Sequence, residues 1–259
     1  MAEIVIVPDA AAAGALVADE ITALVQQRAD AVLGLATGST PLTIWRSLAG
    51  RGLDFSQVRG FALDEYIGLP AGDPRSYRAT IDAEVVDVLG LDPALVHVPG
   101  DGLDGAALAG AGEQYEALIA AAGGIDLQVL GIGRTGHIGF NEPGSSFASR
   151  TRVKTLMRVS REDNARFFDG DVDAVPQHCV TQGLGTILDA RRLVLLAFGE
   201  AKAESIAAAV EGPVTASLPA SAIQLHPDVT VFVDDAAASQ MRFADYYREV
   251  WANRPDWAR

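Results

Sequence analysis

Ala31-Val32-Leu33-Gly34-Leu35-Ala36-Thr37-Gly38-Ser39-Thr40-Pro41 passes from a continuous apolar run to a hydroxyl-rich turn and on into the helical pattern Leu42 to Leu48. An uninterrupted apolar run of this length, closed by turn residues, predicts a strand buried on both faces, and such strands belong to parallel sheets covered by helices. The same punctuation recurs at Ile4 to Val7, Val58 to Leu63, Ile125 to Leu130, Leu193 to Phe198 and Val229 to Val233. Periodic, helix-like segments separate these runs, among them Ala10 to Arg28, Tyr77 to Leu89 and Gly105 to Ala122. The predicted fold is therefore α/β: a doubly wound, mostly parallel sheet with helices on both faces, a Rossmann-like three-layer arrangement. No repeat, low-complexity tract or linker divides it, and residues 1–259 read as a single domain. The Gly/Pro-rich segment Gly139 to Gly144 reads as a loop inside that domain.

Composition narrows the classes of function. The chain has 259 residues, 49% hydrophobic and 21% charged, with a formal net charge of −14. Nucleic-acid surfaces accumulate Lys and Arg, so this balance argues against one, and any anionic ligand must be met by local groups. Cys179 is the only cysteine. It supports neither a disulfide framework nor a cysteine-rich zinc site, and a reducing, cytoplasmic setting is expected. Asp9, Asp19 and Glu20 interrupt the alanine-rich start, no positively charged n-region precedes it, and no uninterrupted apolar stretch of about 18 residues follows, so neither a signal peptide nor a membrane span is expected.

In open α/β sheets ligands bind beyond the carboxyl ends of the strands, which directs attention to three strand ends. The first is Thr37-Gly38-Ser39-Thr40-Pro41. Pro41 suits a first helical turn and Ser39 or Thr40 suits the cap. Free N–H groups at a helix start can also hold a phosphate without a lysine. The Walker spacing is absent, and an ordinary capped turn and a phosphate cradle both fit. The second is Leu63-Asp64-Glu65-Tyr66. Adjacent strand residues point to opposite faces, so one of the two carboxylates enters a given cleft. Shielded by Tyr66, it has the features of a base whose pKa rises toward working pH; a solvated strand end or a helix cap is the other reading. The third, Gly131-Ile132-Gly133-Arg134-Thr135-Gly136-His137, contains G-x-G-x-x-G but runs into Ile138-Gly139-Phe140-Asn141-Glu142-Pro143-Gly144 instead of a helix. That context is wrong for a dinucleotide fingerprint; the loop presents His137 and Glu142 at a strand end, where proton transfer and a purely structural histidine are both open. Arg150, Arg152, Lys154, Arg158, Arg161 and Arg166 form a basic run, either a solvated face or a partner for phosphorylated ligands, and Lys202 follows another strand end.

Read together, these segments resemble the glucosamine-6-phosphate deaminase (isomerase) family. The resemblance is carried by Leu35 to Pro41, Leu63 to Leu69, Gly136 to Pro143 and Ser149 to Thr155, and extends through Asn164 to Phe168 and Gln224 to Pro227 over nearly the whole chain. It implies conversion of glucosamine 6-phosphate to fructose 6-phosphate and ammonia in amino-sugar catabolism, a hydrolase acting on a C–N bond by way of isomerisation. It implies Asp64 as the base moving the C2 proton to C1, His137 as the proton shuttle of ring opening, and Glu142 as its support. Thr37, Gly38, Ser39 and Thr40 would hold the phosphate with Arg166 and Lys202. No metal or organic cofactor is implied, and none of His97, His137, His178 and His226 is spaced as a ligand pair. Regulated members bind N-acetylglucosamine 6-phosphate between subunits, which maps an allosteric site onto Ser145, Arg152, Lys154 and Thr155, with Tyr246 or Tyr247 in the place of a C-terminal tyrosine. A homo-oligomer, up to a hexamer, follows from the same resemblance.

The departure is Thr135, where the family usually carries Asp or Asn to assist ring opening. Losing an orienting carboxylate costs up to about 10⁴ in rate in the serine-protease template, roughly 5 kcal/mol of barrier. The cost here is expected to be smaller, because Glu142 remains and a threonine hydroxyl still hydrogen-bonds. The alternatives are a 6-phosphogluconolactonase, which shares a Gly-His loop but differs at Asp64 to Tyr66 and Asn141 to Pro143, and a sugar-phosphate sensor that has lost turnover through Thr135.

Overall fold

The computed structural model describes residues 2–255; Met1 and 256–259, which the single-domain expectation includes, lie outside the described residues. The strands follow in the order β1 (Glu3–Ile6), β2 (Val32–Leu35), β3 (Arg59–Ala62), β4 (Asp64–Tyr66), β5 (Val96–His97), β6 (Leu127–Leu130), β7 (Arg152–Thr155), β8 (His178–Thr181), β9 (Arg192–Ala197) and β10 (Val229–Val233). The helices are α1 (Ala10–Gln27), α2 (Leu42–Ala49), α3 (Tyr77–Ile81), α4 (Asp87–Leu89), α5 (Ala111–Ala121), α6 (Arg158–Asn164), α7 (Leu184–Leu188), α8 (Ala203–Glu211) and α9 (Ala244–Ala252). No helix among the described residues is long and apolar enough to cross a membrane.

Seven strands form a parallel sheet in the order β1-β10-β9-β6-β2-β3-β5. All six strands expected from the apolar runs lie in it, and β2, β6 and β10 are buried along their whole length. From β2 the chain advances to β3 and β5, whereas from β6 it moves the other way to β9 and β10. Right-handed crossovers running in opposite directions place their helices on opposite faces. The packing agrees: α1 lies against α2 and α2 against α4, while α7 and α8 both pack on the 3-10 segment Pro219–Leu225. The direction reverses between β2 and β6, which pair only at Leu33↔Leu127 and Gly34↔Gln128. Beyond those positions the two strands part, and a crevice opens at their carboxyl ends.

Helix α1 shows how the pattern becomes packing. Ala13, Gly14, Val17, Ala18, Ile21 and Val25 form its buried stripe, and Asp9 caps it by accepting from the Ala12 N–H at 2.8 Å. Two expected helices are more mixed than their patterns suggest. Tyr77 to Leu89 is α3 and α4 joined by a π turn at Asp82–Val86, and Gly105 to Ala122 begins as a 3-10 segment, Gly105–Gly110, before α5.

A second sheet, antiparallel in the order β4-β8-β7, was not expected from the sequence. Its strands are three or four residues long, and β7 alternates half-buried Arg152 and Lys154 with exposed Val153 and Thr155, so no apolar run announces it. The chain leaves the large sheet at Leu63, whose N–H still donates to Leu35 O at 3.1 Å, and joins the small sheet at Asp64. A separate core of Tyr66, Phe140, Leu156, Ala165, Phe168, Val175 and Cys179 fixes the small sheet over the crevice.

Candidate active site

Asp64 opens β4 opposite Thr181 of β8 and is 8% exposed. The loop after β6 closes over it: a methyl group at Gly139 would lie 3.5 Å from Asp64 Oδ2. Burial, reinforced by the neighbouring Glu65, pushes the Asp64 carboxyl up to about 8, with the Phe140 N–H pulling in the other direction. Glu65 points the opposite way, as the pleat requires. Its Oε1 accepts from the N–H groups of Tyr66 (2.7 Å) and Tyr77 (3.0 Å), and its Oε2 from that of Arg78 (2.7 Å). Glu65 thus serves the start of α3, whereas no protein side chain donates to the Asp64 carboxylate among the described residues.

His137 is held flat over Gly133. A Cβ at Gly133 would lie 2.3 Å from the ring atoms Cε1 and Nε2, so the loop tolerates no side chain there. Three groups surround Nδ1: Thr135 Oγ1 at 2.9 Å, Ser160 Oγ at 3.4 Å and Glu142 Oε2 at 3.6 Å. Glu142 is 3% exposed. Burial acts to raise its carboxyl, but hydrogen bonds from His137, Ser160 and the Met157 N–H outweigh it and hold the group below the usual range. Thr135 thus lies where its hydroxyl can stand between ring and carboxylate, 3.5 Å from Glu142 Oε2.

The turn after β2 corrects one expectation. Neither Ser39 nor Thr40 caps α2; Pro41 occupies the cap position with no side-chain hydrogen bond. The turn bends at Gly38 (φ +102°), which a Cβ would strain. Thr40 uses only its carbonyl, accepting from Thr43 Oγ1 at 2.9 Å. Among the described residues the N–H groups of Gly38, Ser39 and Thr40 and the hydroxyls of Thr37, Ser39 and Thr40 donate to no protein atom. That favours the anion cradle over the capped turn.

Lys202, beyond β9, donates to Ile132 O at 2.7 Å and so reaches the loop after the neighbouring strand β6. Burial holds its ammonium below the ordinary value; Asp163 raises it, and Arg166 and Arg134 lower it, which gathers these charges in one neighbourhood. Arg166 is exposed and stacks on Phe167 at 4.7 Å. Arg134 pairs with Asp163 at 2.5 Å.

The basic run divides. Arg150 pairs with Glu116 and Asp189, Arg158 with Glu162, and Arg161 donates to the carbonyls of Val172 and Val175. Arg152 and Lys154 share one face of β7, and Arg152 donates to Asn141 Oδ1 at 2.8 Å, while Asn141 is anchored on Ile138 O and Gln182 O. Thr155 lies on the other face beside His178 Nδ1 at 3.1 Å. Ser145 is buried with its hydroxyl donating to Glu142 O at 2.7 Å. The four residues mapped to a regulatory site therefore do not share one face. Tyr247 donates to Glu211 at 3.2 Å, and Tyr246 is exposed. Sequence reasoning missed Ser160, which sits in no pattern that marks it and joins the site only through the fold, and gave no role to Arg134 although it lies within the Gly131 to His137 loop.

Known proteins resemble this chain along nearly its whole length. Residues 9–232 match the model of the glucosamine-6-phosphate isomerases/6-phosphogluconolactonase family. A glucosamine-6-phosphate deaminase of Bifidobacterium longum is 57% identical, with 99% of each chain covered. The solved structure of a monomeric glucosamine-6-phosphate deaminase superposes with a TM-score of 0.88 at 39% identity, covering 92% of this chain and 99% of that one. A 6-phosphogluconolactonase from Trypanosoma cruzi shares the fold at 18% identity and a TM-score of 0.73, over 93% of this chain and 97% of that one. The chain belongs to the glucosamine-6-phosphate deaminase family.

Proposed function

We propose that the protein converts glucosamine 6-phosphate and water to fructose 6-phosphate and ammonia, with Asp64, His137 and Glu142 in the roles that the family resemblance implies. The observation that carries this reading is the buried, uncommitted Asp64, held at a pKa of about 8 within reach of the His137 loop. A base matched to working pH is what abstraction next to a carbonyl needs. His137 Nε2 takes the proton of O1 and returns one to O5 as the C1–O5 bond breaks, which gives the open-chain aldehyde. Asp64 removes the C2 proton, the electron pair moves to form the enolamine, and Asp64 returns a proton to C1. The resulting C2 iminium adds water and expels ammonia. The net consumption of water makes the reaction a C–N hydrolysis reached through isomerisation. The turn Thr37 to Thr40 with Lys202 and Arg166 holds the phosphate, local positive charge in a chain of net charge −14. Regulation by N-acetylglucosamine 6-phosphate and a homo-oligomeric state belong to the same proposal. Arg152 supports the first, since it joins the β7 face to the His137 loop through Asn141.

A coupled assay for ammonia, run on glucosamine 6-phosphate beside a hydrolysis assay on 6-phosphogluconolactone, separates the readings. Ammonia release without lactone hydrolysis is expected. Lactone hydrolysis alone would establish the other branch of the family, and ligand-induced thermal stabilisation without either activity would establish the sensor.

A further inference from the structure

Ser160 is 1% exposed, projects from α6 and takes part in none of the roles assigned above. Its hydroxyl oxygen is 3.4 Å from His137 Nδ1, and the hydroxyl is among the groups that hold the neighbouring Glu142 carboxyl below its usual range. Thr135 reaches the same two groups at 2.9 and 3.5 Å. Glu142 Oε1 is engaged by the Met157 N–H at 3.1 Å.

Counting protons in this cluster decides how they are arranged. An ionised carboxylate only accepts, and each hydroxyl has one proton to give. When both hydroxyl protons point to Glu142, both hydroxyl oxygens present lone pairs to Nδ1, which must then carry the ring proton. The opposite arrangement turns a hydroxyl proton toward a bare Nδ1 and leaves a buried carboxylate short of a donor, the costlier state. The tautomer of a histidine is set by the partner of its other nitrogen. Nε2, at the far end of the ring, has no protein hydrogen-bond partner among the described residues.

We propose that Ser160 is a positioning residue: together with Thr135 it directs two hydroxyl protons onto Glu142 and so holds His137 as the Nδ1–H tautomer, with Nε2 bare toward the sugar. The pair does by two hydroxyls what an orienting carboxylate does elsewhere. The inference rests on the deaminase reading for its effect on turnover, but not for the tautomer itself.

The test is nitrogen-15 NMR of histidine-labelled protein, with His137 assigned by its loss in His137→Gln, alongside steady-state kinetics with glucosamine 6-phosphate. Neutral His137 is expected as the Nδ1–H form in the unaltered protein. Ser160→Ala should move a measurable share of it to the Nε2–H form and lower kcat about tenfold, as removal of outer hydrogen-bonding partners typically does, with KM within about twofold. Ser160→Thr should restore both readouts, and Thr135→Val should shift the tautomer in the same direction as Ser160→Ala. An unaltered protein already in the Nε2–H form would overturn the proposal. So would a Ser160→Ala protein with lower Tm and kcat but an unchanged His137 spectrum, since that is what a merely structural serine gives. Failure of the deaminase reading is seen separately, as absence of ammonia release from the unaltered protein.

Discussion

Asp64 is surrounded by a small sheet, an aromatic cluster and the His137 loop, and this enclosure has a thermodynamic consequence. Its carboxyl titrates at 3.8 in its ordinary state and at about 8 in the fold. Between those values the folded protein holds a proton that the unfolded chain has lost, so stability falls as pH rises through that window. That difference corresponds to roughly 5 kcal/mol. Asp64→Asn cannot ionise and escapes this loss. Its Tm is therefore expected to match that of the unaltered protein near pH 4 and to exceed it by on the order of 10 °C at pH 8, while turnover is lost. Melting curves across that range check the expectation, and equal Tm values at pH 8 would show that Asp64 ionises freely. Individual residues were only partly legible in the sequence. Alternation along a strand announced that one acid of Asp64-Glu65 would face a cleft, yet nothing local said which, because the answer depends on whether β4 pairs with β8. Ser160 was invisible, since it meets His137 only when the fold brings α6 against the loop after β6.

Element by element, the strand ends were legible wherever a buried run preceded them, and illegible wherever a strand was short and half polar. β2, β6, β9 and β10 announced themselves by mainly apolar runs, broken only by Gln128 in β6, Arg192 at the start of β9 and Thr230 in β10; β7, with arginine and lysine on its half-buried face, did not. Glu65 is one of the links between the small sheet and the body of the protein. That carboxylate gathers three N–H groups, two of them at the start of α3 beside the Ser76 cap, and so ties β4 to the helix. Glu65→Ala is expected to leave these donors poorly satisfied. At about 1 kcal/mol or more for each, the loss should be about 3 kcal/mol, seen as a fall in Tm of roughly 6 to 12 °C. Hydrogen exchange should show amides of β4 and α3 opening before those of β9 and β10. Uniform loss of protection across both sheets would contradict this account of the link.

At the scale of the whole molecule, the topology brings together what the sequence keeps apart. Reversal of the order of strand addition between β2 and β6 opens one crevice, and the turns after β2, β6 and β9 deliver the free N–H groups near Ser39, the His137 loop and Lys202 to the same end of the sheet. The chain then folds β4 across that end and brings Asp64 to it. The architecture was legible because buried parallel strands have a composition of their own. The convergence was not, because it depends on strand order, which no local pattern encodes. The most direct test of the central claim uses glucosamine 6-phosphate carrying deuterium at C2. The account predicts one ammonia for each fructose 6-phosphate, a primary isotope effect on kcat/KM when C2–H cleavage limits it, and the C2 label moved to C1 or lost to solvent, with all turnover reduced by about 10³ or more in Asp64→Asn, on the order of 4 kcal/mol of barrier. Asp64→Asn protein that releases ammonia within tenfold of the unaltered rate, or product that keeps its label at C2, would contradict it.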